Sequence, residues 1–425
     1  MVMLIMFGTL FICLLLTAPM AVSIGLSALT MIWANETPTI VLAQRMFSAV
    51  DSAPLLAIPF FVLAGSLMKG GGISQRLVKF ADACVGGITG GLSIVAILAS
   101  MFFAAISGSG PATTAAIGSI MIPAMLAKGY NIKFVAATEA TAGQLGVIIP
   151  PSIPFVIFGL ATGVSIGDLF MAGVMPGILI GCSLILVAYC VAKTNGYKPD
   201  RPLPWRERWE AFKESVWALF MPVLILGGIY KGIFTPTESA VVASAYALFV
   251  GAFVYKELKL KDLFPIFAET IVLVSKIMII ISAAGIFAYI LTIYRIPHLV
   301  GNWFISITDS KIIFLLIVNL LLLIVGMFFD TTPAIVVLAP ILMPVATSLG
   351  IAPLHMGVII VCNLAIGFIT PPFGVNLFVA SQLTGLRVEQ MGRYLLTYIG
   401  VLVVDILMIS YIPAISLWLP SLLMR

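Results

Sequence analysis

The chain has 425 residues, of which 61% are hydrophobic and only 9% are charged. A soluble globular domain carries roughly 25% charged residues, so this composition excludes a soluble protein and indicates a polytopic protein of the lipid bilayer. The net charge of +5 is explained by orientation across the membrane and calls for no nucleic-acid partner. The chain has only two histidines, His298 and His355, and its five cysteines include no C-x-x-C pair. It therefore offers few of the ligands that a haem or zinc enzyme needs.

Apolar runs long enough to cross a bilayer, roughly 20 residues each, recur along the chain. The first run, Met3–Trp33, has no basic residue before it and exceeds the apolar core of a signal peptide, so we interpret it as the first span. The later runs are Ala53–Met68, Leu169–Ala192, Val216–Tyr230, Ser239–Tyr255, Phe264–Ile293 and Ile399–Leu419. Because these runs do not alternate like barrel strands, we expect a multi-pass protein of the bacterial inner membrane.

Most of the 22 basic residues fall in five clusters. The clusters are Lys69–Lys79, Lys128–Lys133, Lys193–Lys213, Lys256–Lys261 and Arg387–Arg393. The positive-inside rule assigns all five to the cytoplasm. One topology satisfies this rule if residues 92–126 form a re-entrant hairpin open to the cytoplasm and residues 312–349 form one open to the outside. Within the third cluster, the amphipathic stretch Trp205–Lys213 is predicted to lie along the inner interface.

Each predicted hairpin begins a longer segment, and the two segments share prolines and glycines at matching positions. The same number of residues separates the two members of every matched pair. The matched positions are Pro123 with Pro344, Gly129 with Gly350, Gly146 with Gly367, and Pro150–Pro151 with Pro371–Pro372. An odd number of predicted spans separates the hairpins, so the two copies have opposite orientations in the membrane. Inverted repeats of this kind are typical of secondary transporters.

Each repeat also contains a Pro-Pro pair that interrupts a span. The interruptions lie in GQLGVIIPPS (Gly143–Ser152) and in LAIGFITPPF (Leu364–Phe373), and each frees backbone carbonyls from the helical ladder. The hairpin tips add the hydroxyls of Ser107, Ser109, Thr331 and Thr332. Carbonyls and hydroxyls are hard oxygen ligands that suit a small cation such as sodium. The alternative is that these glycines and prolines only permit close helix packing.

Five motifs closely resemble the large membrane subunit of tripartite ATP-independent periplasmic (TRAP) transporters. They are SGSGPATTAAIGSIMIPAM, GQLGVIIPPSIP, GVSIGDLFMAGVMPG, GIFTPTESA and FITPPFGVNLF. The resemblance covers essentially the whole chain. It implies an all-α polytopic membrane protein, an inverted-repeat elevator transporter with two re-entrant helical hairpins and two broken helices.

The resemblance also implies a function and partners. Sodium drives uptake of an organic acid, such as sialic acid or a four-carbon dicarboxylate, and a soluble periplasmic substrate-binding protein delivers the acid. A small four-helix membrane subunit completes the transporter, and we expect it to be a separate polypeptide because the chain begins at its own first span. The sequence lacks the Walker A pattern G-x-x-x-x-G-K-[ST], which agrees with transport independent of ATP.

The same resemblance predicts how the chain is divided. Residues 1–86 and 166–304 form the scaffold, with a cytoplasmic loop at its basic cluster. Residues 87–165 and 305–385 each supply one hairpin and one broken helix to a mobile transport domain. Residues 386–425 form an interfacial segment and the last span.

Two symmetric sodium sites, and so at least two ions, are implied by the resemblance. The first site uses Ser107 and Ser109 with the carbonyls of Gly146, Ile149 and Pro151. The second uses Gly326 and the tip residues Asp330, Thr331 and Thr332 with Gly367, Thr370 and Pro372. The second tip reads DTTP where the first reads SGSGP, so the tip ligands can differ between the sites.

Four residues are candidates for binding the substrate: Ser107, Ser152, Arg295 and Asp330. Ionisable residues inside a membrane are functional candidates by default. Asp330 can serve sodium or a substrate hydroxyl, or it can cap the helix that follows it. Arg295 can pair with a carboxylate, or its side chain can extend to the outer interface.

Two other classes of function stay open on the residues alone. A stand-alone ion-coupled carboxylate transporter or antiporter would share the architecture and differ in its dependence on partners. An intramembrane enzyme would need a nucleophile and a base within hydrogen-bond reach, and Asp330 has no histidine near it in the sequence. We therefore expect a transporter and not an enzyme.

Overall fold

The structure is a computed structural model that describes residues 2–35, 37–199, 203–307 and 310–423. Within these residues the secondary structure is helical and includes no strand. Ten segments of the described chain are long and apolar enough to cross a membrane. The predicted all-α, polytopic fold class is therefore confirmed.

The amino-terminal part has five helices. They are α1 (Val2–Leu15), α2 (Met20–Ala34), α3 (Ile40–Val50), α4 (Ala57–Gly70) and α5 (Ile73–Val85). The interpretation of Met3–Trp33 as one span is wrong, because a turn at Thr17, with φ of 58°, separates α1 from α2. Pro19 causes this break, since it has no N–H group and disfavours helical geometry in the residue before it. The Ser27 hydroxyl then donates to the Met6 carbonyl at 2.6 Å.

The first repeat follows as a hairpin and a broken helix. Its helices are α6 (Gly91–Ser107), α7 (Gly110–Ala127), α8 (Ile132–Gly143), α9 (Leu145–Ile148) and α10 (Ile153–Thr162). Gly108, with φ of 62°, forms the turn at the hairpin tip, where a residue with a side chain would be strained. The break between α9 and α10 contains the cis Pro150–Pro151 bond. Both predicted elements are confirmed.

The middle of the chain has five helices. They are α11 (Ile166–Thr194), α12 (Trp205–Tyr230), α13 (Pro236–Phe249), α14 (Leu260–Ile293) and α15 (Ile296–Ile307). The stretch Trp205–Lys213 is helical and continuous with the apolar part of α12, and its location along the inner interface stays a prediction. Residues 205–221 contain neither Gly nor Pro, so nothing in the sequence stops the helix. This half of α12 packs on α5, where Lys79 and Glu214 pair at 3.2 Å.

The second repeat has the same order of elements as the first. Its helices are α16 (Lys311–Phe328), α17 (Thr331–Ser348), α18 (Pro353–Gly367) and α19 (Val375–Thr384), and α20 (Gly392–Tyr411) and α21 (Ala414–Leu423) follow. The break between α18 and α19 contains the cis Pro371–Pro372 bond. The predicted span Ile399–Leu419 is not one helix, because Pro413 separates α20 from α21.

The two repeats pack into each other and do not form separate lobes. Helix α19 of the second repeat lies on α7 and α8 of the first, and α10 lies on α17. The Asn376 side chain donates to the Ala140 carbonyl at 3.1 Å across this contact. As a result the two hairpin tips face one another, with α4 and α14 beside them.

Candidate functional site

A cavity of about 310 Å³ lies where the two hairpin tips meet. Residues 107–109 line it from the first tip, and residues 330–332 line it from the second. Val147 and Ile153 flank the first break, and Phe368 lies at the start of the second. The fold therefore brings residues that are far apart in the sequence to one chamber, as the repeat predicts.

Three oxygen atoms converge at the first tip. The hydroxyls of Ser107 and Thr113 lie 2.8 Å apart, and the Thr113 hydroxyl donates to the Ser109 carbonyl, also at 2.8 Å. The Ser109 side chain caps α7 by accepting from the Ala112 N–H at 3.5 Å. The predicted tip residues Ser107 and Ser109 are thus joined by Thr113, which was not predicted.

The first break packs directly against this tip. A Cβ atom added at Gly146 would lie 2.4 Å from the Ser109 carbonyl oxygen and 2.5 Å from the Thr113 hydroxyl oxygen. A Cβ atom added at Gly108 would lie 2.9 Å from the Pro151 carbonyl oxygen. The structure therefore brings Gly146 and Pro151 to the tip residues, with Ile149 in an extended conformation between them. Only glycine permits such a close approach.

The Ser152 hydroxyl has structural partners. It donates to the Val147 carbonyl at 2.5 Å and accepts from the Phe155 N–H at 3.4 Å. These bonds close the end of α9 and cap α10. Ser152 is buried and does not line the cavity.

Asp330 combines a cap with a position on the cavity wall. Its Oδ1 atom accepts from the Thr331 N–H at 2.6 Å and from the Thr331 hydroxyl at 3.2 Å. The helix begins at Thr331, two residues before Pro333. The Asp330 side chain is exposed to the cavity, whereas Thr331 and Thr332 are buried.

The second break differs from the first. A Cβ atom added at Gly367 would lie 2.1 Å from the Gly326 carbonyl oxygen, so the backbones of α16 and α18 are in direct contact. The Thr370 hydroxyl donates to the Ile366 carbonyl at 2.8 Å. Pro372 is exposed, whereas its counterpart Pro151 is buried. The predicted second set of residues is therefore more open than the first.

Comparison with known proteins identifies the family. Residues 7–415 match the family model described as "Tripartite ATP-independent periplasmic transporter, DctM component". The chain belongs to this family. It is the large membrane subunit of a TRAP transporter and a multi-pass inner-membrane protein.

Two relatives of this TRAP subunit are similar over most of its length. It is 44% identical over 416 residues to the isethionate TRAP transporter permease protein DctMQ of Oleidesulfovibrio alaskensis, covering 97% of this chain and 66% of that relative. It is 45% identical over 400 residues to the C4-dicarboxylate TRAP transporter large permease protein DctM of Pseudomonas aeruginosa, covering 94% of each. Names of this kind indicate a transporter component and not an enzyme.

A solved structure shows the same fold. The YdaH transporter of Alcanivorax borkumensis, described as having an unusual topology, superposes with a TM-score of 0.61. The alignment covers 92% of this chain and 89% of that one at 14% identity. At this identity the likeness supports the fold alone.

Arg295 lies outside the central cavity of this TRAP subunit. It occupies the turn between α14 and α15 with φ of 50°, and its side chain is exposed. It lines a separate surface pocket with Tyr294 and His298. In this arrangement the guanidinium is not directed at the residues of either tip.

Sequence reasoning missed four polar residues of the cavity region, namely Thr113 at the first tip, Ser66 and Lys69 on α4, and Glu269 on α14. Thr113 lies one helical turn after Ser109 in the first motif, and this spacing is a signal that its hydroxyl shares a face with the tip. Lys69 was interpreted only as part of a basic cluster that orients the chain in the membrane, yet it lines the cavity from α4. Its position depends on how α4 packs against the first hairpin, which no local pattern records.

Proposed function

We propose that this TRAP subunit takes up an organic acid together with sodium ions. The acid is a carboxylate, such as sialic acid or a four-carbon dicarboxylate. The observation that carries this proposal is the cavity between two hairpin tips, because each tip presents hydroxyl or carboxylate oxygens beside a helix broken at Pro-Pro. A site of this kind at membrane depth suits an ion and an anion carried together.

At least two sodium ions are proposed, one for each repeat. At the first tip the oxygens of Ser107, Ser109 and Thr113 converge on Gly146, which provides hard ligands at close range. At the second tip Asp330 adds a carboxylate that the first tip lacks. The substrate would then lie between the tips, with Ser107 and Asp330 on opposite walls.

Transport is proposed to follow an elevator mechanism. The two hairpins and broken helices move as one body against a scaffold that includes α4 and α14. In the structure the cavity is lined by Lys69 of α4 and by Glu269 of α14. Both lie near the basic ends that the positive-inside rule assigns to the cytoplasm, which supports the proposal that this conformation is the inward-facing state.

Two partners complete the proposal. A periplasmic binding protein delivers the acid, and a small four-helix membrane subunit packs on the scaffold. The outer side of α14 carries the exposed apolar side chains of Ile271, Val272 and Ile279. Such a face suits lipid or another membrane helix.

Proteoliposomes test this proposal. The subunit is reconstituted with and without the small subunit and a binding protein, and uptake of radiolabelled succinate, sialic acid and isethionate is measured with and without an inward sodium gradient. We expect uptake of one of these acids only with sodium and both partners. Uptake without partners would indicate a stand-alone carrier, and no sodium-dependent uptake of any of the three acids would contradict the proposal.

Substitutions at the first tip and at the second break test the two sodium sites. Ser107→Ala and Thr370→Ala should each raise the sodium concentration for half-maximal uptake by roughly five-fold or more, since a lost ligand costs about 1–3 kcal/mol. Thr162→Ala is the matched control for Thr370→Ala. It removes the same kind of bond, from Thr162 to the Phe158 carbonyl at 2.7 Å, away from the cavity. Equal sodium dependence in all three variants would reject the assignment.

A further inference from the structure

Of the three described charged residues that line the central cavity, two are acidic and one is basic. They are Lys69, Glu269 and Asp330. Lys69 is thus the single basic group among the described lining residues, although the proposed cargo is an anion. A cavity with two carboxylates and no cation would repel such a cargo, so the position of Lys69 bears directly on how the anion is held.

Lys69 lies on the same face of α4 as the residues that meet the first tip. The lining residues Val62, Gly65, Ser66 and Lys69 recur at helical spacing and form one stripe. Gly65 touches the tip, since a Cβ atom added there would lie 3.3 Å from the Ser107 Cα atom. Lys69 follows Gly65 by one turn, a rise of about 6 Å. Its flexible four-carbon stem can therefore reach a small acid held at Ser107.

The neighbouring basic residues on α5 are occupied elsewhere. Arg76 pairs with Glu257 at 2.7 Å and lies 3.8 Å from the ring centre of Tyr255. Lys79 pairs with Glu214 at 3.2 Å. Among the described residues, Lys69 has no carboxylate within 4 Å. Its ammonium group is exposed and free to accept an anion.

We propose that Lys69 is the anion-binding residue on the α4 wall, which takes the carboxylate or sulfonate of the acid on its cytoplasmic path. The inference rests on the proposed function, because it assumes an anionic cargo. Glu269 of α14 also lines the cavity, and its negative charge limits how tightly the anion is held, which favours release. Lys69 is therefore a binding residue for the anion as well as part of the cytoplasmic charge cluster.

The reaction rate of a reporter cysteine introduced into the cavity depends on the local electrostatic potential. It can be measured without any transport. Ser66 lines the cavity beside Lys69, and Ser66→Cys is close to isosteric. The exposed or partly buried cysteines Cys13, Cys84, Cys182 and Cys190 are first replaced by serine, and the buried Cys362 is kept. The reaction rates of the introduced thiol with an anionic reagent (MTSES) and a cationic one (MTSET) are compared in inside-out vesicles that contain the whole transporter.

We expect Lys69→Gln to lower the ratio of anionic to cationic rates at least five-fold, and Lys69→Arg to keep it. Glu269→Gln should raise the ratio, because it removes the opposing charge. Lys79→Gln is the matched control, a cation on the same side that pairs outside the cavity, and it should leave the ratio unchanged. An unchanged ratio in Lys69→Gln, or an equal fall in Lys79→Gln, would overturn the inference.

Uptake provides a second measurement with native Ser66. Acid loaded inside proteoliposomes is expected to inhibit further uptake by occupying the inward-facing cavity. Lys69→Gln should then raise the internal concentration of succinate or isethionate that gives half-maximal inhibition at least five-fold. Lys69→Arg should restore it. If wild-type protein shows no uptake, the proposed function fails while the reporter still measures the anion preference. If wild-type uptake is normal and Lys69→Gln changes neither measurement, the inference about Lys69 fails alone.

Discussion

The contact between Gly326 and Gly367 gives the sharpest prediction about the second repeat. In Gly367→Ala the new Cβ atom would lie 2.1 Å from the Gly326 carbonyl oxygen and 2.5 Å from the Gly326 Cα atom. Non-bonded heavy atoms prefer about 3.5 Å, so α16 and α18 would have to separate by about 1.4 Å. No rotamer can relieve this clash, because both partners are backbone atoms.

Overpacking of this kind costs about 1–3 kcal/mol, and sometimes more. We therefore expect the thermal midpoint of the purified Gly367→Ala transporter to fall by several degrees, together with a steep loss of sodium-driven uptake. The midpoint is measured by size-exclusion chromatography after heating, with the small subunit present. The matched control is Gly400→Ala in α20, where a Cβ atom meets nothing within 4 Å.

The control should be as stable as the wild type or slightly more stable, because alanine favours a helix interior over glycine by about 0.5–1 kcal/mol. A Gly367→Ala protein with the midpoint and sodium dependence of the wild type would refute the reasoning. It would mean that α16 and α18 do not approach as closely as the structure shows.

Two further substitutions separate residues of the site from residues outside it. Gly146→Ala would bring a Cβ atom within 2.5 Å of the Thr113 hydroxyl and 2.4 Å of the Ser109 carbonyl, so uptake should fall at least ten-fold, while Gly227→Ala, which has nothing within 4 Å, should leave uptake normal. Arg295→Gln should change the KM for uptake by less than two-fold, since Arg295 lies outside the cavity. A ten-fold rise in KM would contradict this prediction and would indicate that Arg295 binds the substrate.

The parts of the fold that depend on proline and glycine could be predicted from the sequence. The Pro-Pro pairs and the tips carry their backbone chemistry in the residues themselves, so the hairpins and broken helices were found. The start of α13 has the same local origin, because Thr235 caps the helix and forms a capping box with Glu238. The local sequence is enough to predict the structure where a residue restricts its own backbone conformation.

Hydropathy could not place the helix ends. The run Met3–Trp33 stays apolar through the turn at Thr17, so a mean hydropathy does not register the break between α1 and α2. The opposite holds in α12, where the composition changes from basic to apolar residues although the helix continues from Trp205 to Tyr230. Polarity reports the surroundings of a helix, and it does not report whether the helix stops.

The cavity itself could be predicted only in part. The tips were identified from repeated motifs, but Lys69 enters the site because Gly65 lets α4 approach Ser107. Arg295 was chosen for its charge within an apolar stretch, and the turn after α14 places it elsewhere. Which side of a helix faces a cavity is decided by packing between distant segments, and a single sequence does not contain that information.

Asp330 caps α17 and also lines the cavity, and one substitution tests whether its charge serves more than the cap. Its carboxylate caps α17 through the Thr331 N–H at 2.6 Å, and it also faces the cavity. Asparagine is about as good a cap as aspartate, so Asp330→Asn should keep expression, thermal midpoint and assembly with the small subunit. The loss of the negative charge should still reduce sodium-driven uptake at least ten-fold.

The physical reason is that a carboxylate at membrane depth is costly and has to be offset by a partner. A helix N-terminus offers partial compensation, and a sodium ion offers more, because a full positive charge lies within coordination distance. If Asp330→Asn transports at the wild-type rate and with the same sodium dependence, the cap is the whole role of Asp330. The second sodium site would then depend on the hydroxyls of Thr331 and Thr332 and on the carbonyls near Gly367. A fall in uptake at an unchanged midpoint would instead assign the charge itself to the ion or the substrate.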